Sequence, residues 1–82
     1  MTSSTNSLYL ERRDPARNMA RYYALSIERD LFDGVLAVRR WGRIGTLGRR
    51  ASLPCPDRAT ALAVLSDIEA AKRRRGYVEL AR

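Results

Sequence analysis

Four stretches of period-two hydrophobicity, each closed by turn residues, precede the chain's single stretch of period-3.6 hydrophobicity, and this order restricts the fold more than any other feature. Leu8 to Arg12 alternates Leu8 and Leu10 against Tyr9 and Glu11 before Pro15 interrupts it. Arg21 to Arg29 places Tyr23, Leu25 and Ile27 on one face and Tyr22, Ala24, Ser26 and Glu28 on the other. The turn residues Asp30 to Gly34 lead into a strand from Val35 to Ile44, and the turn GTLG leads into another, Arg49 to Cys55, which Pro54 ends. Asp57 is placed to cap a helix from Arg58 to Arg75, with Ala61, Leu62, Leu65, Ile68 and Ala71 at helical spacing and Gly76 closing it. YVEL beyond the helix supplies a last short strand or packs across the helix end. Strands joined by short connections pair antiparallel, and one amphipathic helix covers one face of a sheet. The expected fold is therefore α+β, a four- or five-stranded antiparallel sheet with one α-helix packed on one face.

At 82 residues the chain holds one core. The polar opening MTSSTNS has neither a basic start nor an apolar stretch, so residues 1–7 are expected to be a disordered tail and residues 8–82 the single domain. No run approaches the roughly 20 apolar residues of a membrane helix, and the expected compartment is the cytoplasm. Cys55 is the sole cysteine and histidine is absent, which excludes an internal disulfide and a zinc site of the usual Cys/His spacing. No metal and no cofactor are expected. A hydrolase or transferase reading lacks a histidine base and a phosphate loop. Asp30 and Asp33 bracket a turn, which accounts for both.

Charge then narrows the class of partner. The chain carries a net +7, and the excess is local: Gly34 to Pro56 holds Arg39, Arg40, Arg43, Arg49 and Arg50 and no acid. The only tryptophan, Trp41, lies inside that segment. On its strand Leu36, Val38, Arg40, Gly42 and Ile44 point one way, and Val35, Ala37, Arg39, Trp41 and Arg43 the other. If the more aliphatic set faces the helix, Trp41 stands on the open face between Arg39 and Arg43. It is then either an aromatic platform flanked by phosphate-binding guanidinium groups or a satellite of the core with solvated arginines beside it. Arg39 shares the Trp41 face and Arg40 does not, and Arg49 and Arg50 divide in the same way. Lys72 to Arg75 read as a solvated helix end whose cations offset the dipole.

YYALSIERDLFDGVLAVRRWGRIGTLG, with a helix ending in KRRRGY, resembles the WGR domain, the module named for its Trp-Gly-Arg tripeptide. The resemblance runs from about Leu8 to Leu80. It implies an antiparallel sheet with one packed helix, and a non-catalytic module that binds nucleic acid. WGR domains occur in small bacterial proteins and in the DNA-dependent poly(ADP-ribose) polymerases. In those polymerases the domain sits near the 5′ end of a DNA break, its tryptophan against the terminal sugar and basic groups on the phosphate. The resemblance casts Trp41 as the stacking residue, Gly42 and Arg43 as the rest of the tripeptide, and Tyr77 as the closing aromatic of the pattern. Arg39, Arg40, Arg49 and Arg50 are candidate phosphate contacts by charge and spacing alone. DNA, including 5′-phosphorylated ends, is the expected partner. The alternative is a protein-interaction module that docks an acidic partner on a basic open sheet face. The zinc fingers and the ADP-ribosyl transferase domain of the polymerases have no counterpart in these residues, so no ADP-ribose transfer is expected.

Overall fold

The computed structural model describes residues 7–80. It is α+β: five antiparallel strands in the order β4-β3-β2-β1-β5 and one helix on one face of the sheet. The strands are β1 (Ser7–Asp14), β2 (Met19–Arg29), β3 (Val35–Arg43), β4 (Arg49–Cys55) and β5 (Val78–Glu79), with α1 (Arg58–Arg74) between the last two. Of the tail expected over residues 1–7, Ser7 instead opens β1 opposite Ser26, and residues 1–6 lie outside the described residues. A 3-10 turn, Pro15–Arg17, and a left-handed Asn18 (φ 53°) connect β1 to β2.

Helix α1 begins where Asp57 takes an extended conformation and its carboxylate accepts a 2.7 Å hydrogen bond from the Thr60 N–H, filling one donor that the first turn leaves open. The hydrogen bonds also hold that carboxyl below the usual aspartate range. At the far end Gly76 (φ +99°) reverses the chain: its N–H reaches the Arg73 carbonyl at 3.0 Å and the Tyr77 N–H reaches the Lys72 carbonyl at 3.1 Å. The reversal sends Tyr77 back onto the sheet and lets β5 pair outside β1.

The core lies between the helix and one sheet face: Leu10, Tyr23, Leu25, Ala37, Cys55, Ala61, Leu65 and Tyr77. Leu8, Ile27, Val35, Trp41, Val64 and Ile68 pack at its border. The assignment of faces expected from β3 alone is therefore reversed. Ala37, not Val38, lies in the core cluster under the helix, and Trp41 shares its face. Two causes explain the reversal. Ala37 is small enough for a helix to approach closely, and the aliphatic face of β2 (Tyr23, Leu25, Ile27) selects its register partners Trp41, Arg39 and Ala37.

Gly42 belongs to the opposite face for a steric reason. A Cβ there would lie 2.8 Å from the Gly48 Cα, because the 44–48 loop folds back over this point. Gly48 has φ +66°, and the Tyr22 hydroxyl donates to the Leu47 carbonyl at 2.7 Å to hold the loop down. Among the described residues no helix is long and apolar enough to cross a membrane.

With Leu65 at 9 % exposure beside a fully buried Ala61, Leu65→Ala is expected to cost about 2–5 kcal/mol through lost contacts and a residual cavity. Denaturant unfolding of the variant beside the parent measures it, and equal midpoints would place the buried stripe of α1 elsewhere.

Candidate nucleic-acid interface

The register brings arginines together in a row. Arg12 on β1 faces Arg21 on β2, and Arg21 faces Arg43 on β3. Like charges directly opposite one another oppose strand pairing, so nothing in the folding of the sheet calls for this row. The next row toward the helix is Leu10, Tyr23, Trp41 and Arg49. Both rows lie on the helix side of the sheet, at the end where α1 terminates.

Aromatic packing fixes the floor. Trp41 and Tyr23 stack with centroids 5.8 Å apart and planes 16° from parallel, and Tyr77 meets Tyr23 edge-on at 6.1 Å. Lys72 places its ammonium 4.5 Å from the Tyr23 ring centre and 5.8 Å from that of Tyr77. The Arg39 guanidinium lies 5.2 Å from the Trp41 ring centre and donates a 3.4 Å hydrogen bond to the Tyr23 hydroxyl. Arg43 donates to the Asn18 carbonyl at 3.3 Å, which ties the tripeptide arginine to the β1–β2 connection.

Between the helix end and the sheet these groups leave a cleft of about 510 Å³. Its cationic walls are Arg12, Arg21, Arg43, Lys72 and Arg75, and its aromatic floor is Tyr23, Trp41 and Tyr77, with Gly42 between. No acidic residue lines it, and among the described residues none of the five cations has an ion-pair partner. The crowding registers on Lys72, whose ammonium is held below the usual lysine range by burial first and then by Arg75, Arg39 and Arg21. An electropositive, partly desolvated cleft with a half-buried indole suits a ligand that combines negative charge with a flat or sugar surface.

The residues singled out in the sequence divide accordingly. Trp41, Gly42, Arg43 and Tyr77 line the cleft, Arg39 covers the Trp41 ring, and Arg49 stands opposite Trp41 on β4. Arg40 and Arg50 face each other on the other side of the sheet, where Arg50 pairs with Glu28 at 3.0 Å. They do not join Trp41. Trp41 is half-buried and stacked on a core tyrosine, as in the core-satellite reading, and the ring also lines an open cleft on the helix side, not on the open sheet face. The open sheet face is not the basic one.

Sequence reasoning missed Arg12, Arg21 and Tyr23, and it grouped Lys72 and Arg75 with a solvated helix end. That grouping holds for Arg73, which pairs with Glu69 and Glu79, and fails for Lys72, which reaches across to the sheet. Arg12 and Arg21 had a usable signal: each lies two residues from a core residue, Leu10 or Tyr23, and so shares its face.

Comparison with known proteins agrees with this architecture. The WGR domain matches residues 6–82. A relative in Sinorhizobium fredii, the uncharacterized protein y4dW, is 47% identical over 77 residues, covering 94% of this chain and 38% of its own length. The chain thus spans well under half of that relative. No solved structure gives a significant match. The match over nearly the whole chain, on a five-stranded sheet with one helix and the tripeptide at the cleft, shows that the chain belongs to the WGR domain family.

Proposed function

We propose that this WGR domain binds DNA without chemistry, and takes a duplex end in preference to continuous duplex. The observation that carries the reading is the acid-free cleft in which Arg12, Arg21, Arg43, Lys72 and Arg75 surround the edge of Trp41. Five unpaired cations have a use if phosphates neutralise them, since guanidinium forks match phosphate oxygens in geometry as well as charge. The indole favours an end: a terminal nucleotide exposes a sugar and a base face that an internal one buries in the stack. A cleft of about 510 Å³ is of a size to take one nucleotide unit. In this arrangement Trp41 packs on the terminal sugar or base, Arg43, Arg21 and Arg12 hold the phosphate, and Lys72 and Arg75 draw in the flanking backbone. Arg39 positions the indole, and Arg49 extends the cationic edge along β4.

Competition among 5′-phosphorylated ends, unphosphorylated ends, nicked circles and closed circles tests the reading. The 5′-phosphorylated end is expected to compete best, and equal competition by heparin at matched charge would overturn it. Counterion release by the cleft cations is expected to give a log–log salt slope of roughly −3 to −5.

Substitutions at the two arms of the site should behave differently. Trp41→Ala is expected to weaken end binding by about 1–3 kcal/mol, measured well below the melting point because the lost stack on Tyr23 lowers stability as well. Arg21→Ser is expected to flatten the salt slope by about one unit while leaving the melting temperature equal or higher, since it removes a cation caught between Arg12 and Arg43. An Arg21→Ser protein that binds like the parent would remove the arginine row from the site.

A further inference from the structure

The turn from β2 to β3 holds its own shape and leaves its two largest side chains in water. Asp30 accepts the Phe32 and Gly34 N–H groups at 2.8 and 2.7 Å, and its own N–H donates to the Gly34 carbonyl at 3.1 Å. On this frame Leu31 is 97 % exposed and Phe32 89 %. Neither fills the core, caps an element or favours a turn, and polar residues would serve the same turn better. Scattered exposed apolar residues need no explanation, but an adjacent Leu-Phe pair held out by a braced turn does.

We infer that Leu31 and Phe32 are a docking knob for a second protein, one that offers an apolar pocket bordered by basic residues. Charge selects this occupant. The turn from Arg29 to Gly34 carries two acids and one base; Arg29 pairs with Asp33 at 3.1 Å, which leaves Asp30 with no cation among the described residues. On a chain of net charge +7 this is an acidic pole. A second copy fits poorly: in its apolar groove of Leu8, Leu25, Leu62 and Leu65 the border acids Glu69 and Glu79 already hold Arg73, and its groove of Ala37, Leu53, Val64 and Ile68 has a single cation, Arg39, which is engaged with Trp41 and Tyr23, so neither offers a free basic rim. An anionic membrane repels Asp30. A basic-rimmed pocket pairs with it while it buries the aromatic anchor, and the preformed turn gives up little freedom on docking. From Arg21, β2 runs a further eight residues to Arg29, roughly 25 Å at about 3.3 Å per residue, before the turn that carries the knob, so a ligand in the cleft leaves it accessible. The inference stands independently of what the cleft binds.

The test is photocross-linking of the full chain in the cells that express it, with benzoylphenylalanine replacing Phe32 or, as a control at the opposite end, Arg17. One discrete protein adduct is expected from position 32 and not from position 17. The captured protein, identified and purified, is then titrated with the wild type and with Leu31→Ser/Phe32→Ser. The double variant should lose at least about tenfold in affinity, as for a central aromatic anchor, while its melting temperature and its binding of duplex ends stay those of the wild type. An adduct with a second copy of the chain, co-sedimentation with phosphatidylglycerol vesicles that the double variant abolishes, or no discrete adduct would each overturn the inference. So would a captured protein that binds both forms alike, or a double variant that melts early.

Discussion

Tyr23 is where the helix, the sheet and the cleft meet. Its ring carries the Trp41 stack on one neighbouring strand, the edge of Tyr77 arriving from beyond the helix, and the Lys72 ammonium from the last turn of α1; its hydroxyl receives Arg39. Four side chains from two stretches distant in the chain, β3 and the end of α1, thus converge on one buried phenol, 4 % exposed. The position of Trp41 follows from this convergence. An indole on a strand near the sheet border has free rotamers, and stacking against a ring that is itself wedged from a third side removes them. The geometry of the cleft therefore depends on core packing, not on a mobile loop.

The cations around that cleft represent a conflict between folding and binding. Ion pairs take up Arg13, Arg17, Arg29, Arg50 and Arg73, whereas among the described residues no cleft cation has an acidic partner, Arg43 meeting a carbonyl oxygen and Lys72 an aromatic ring. Repulsion along the Arg12–Arg21–Arg43 row and the lowered proton affinity of Lys72 both oppose the folded state, and a bound polyanion relieves both at once. A ligand that cancels an existing repulsion binds more tightly than one that meets already paired charges, because no internal ion pair has to be broken.

Much of this is legible in the sequence. Strand alternation, the Asp57 cap and the Gly76 reversal read directly from residue type and spacing, because each is a local interaction. The side of the sheet that carries the site did not, since β3 is almost equally apolar on both faces and only its partner settles the matter. The information was nevertheless present. A hairpin that turns about Phe32 pairs residues symmetrically around it, which sets Tyr23 against Trp41 and Leu25 against Arg39. Carrying the aliphatic face of β2 across that symmetry places Trp41 under the helix. Arg12 is harder to place, because its register passes through a 3-10 turn and a left-handed Asn18 that no simple spacing rule anticipates. The reach of Lys72 onto Tyr23 depends on how the helix end sits over the sheet, which is a tertiary fact.

Arginine serves two purposes in this fold, and strand parity separates them. The sheet face away from the helix has no second layer, yet Val38 is 4 % exposed and Tyr22 6 %. Tyr22 is covered by stacking on Tyr9 at 5.9 Å and by the 44–48 loop tied to its hydroxyl. Glu11 beneath the Tyr9 hydroxyl is neutralised by Arg13 at 3.1 Å. Val38 sits among Ser26, Ser52 and the long stems of Arg40 and Arg50, whose hydrocarbon shelters apolar surface while their heads reach water or Glu28. These arginines stand in for a missing layer. One residue further along the same strands the parity changes, and Arg39 and Arg49 turn toward the Trp41 side. The adjacent pairs Arg39–Arg40 and Arg49–Arg50 thus send one guanidinium to each face, Arg40 and Arg50 to cover the open face and Arg39 and Arg49 to the side that carries Trp41 and the cleft.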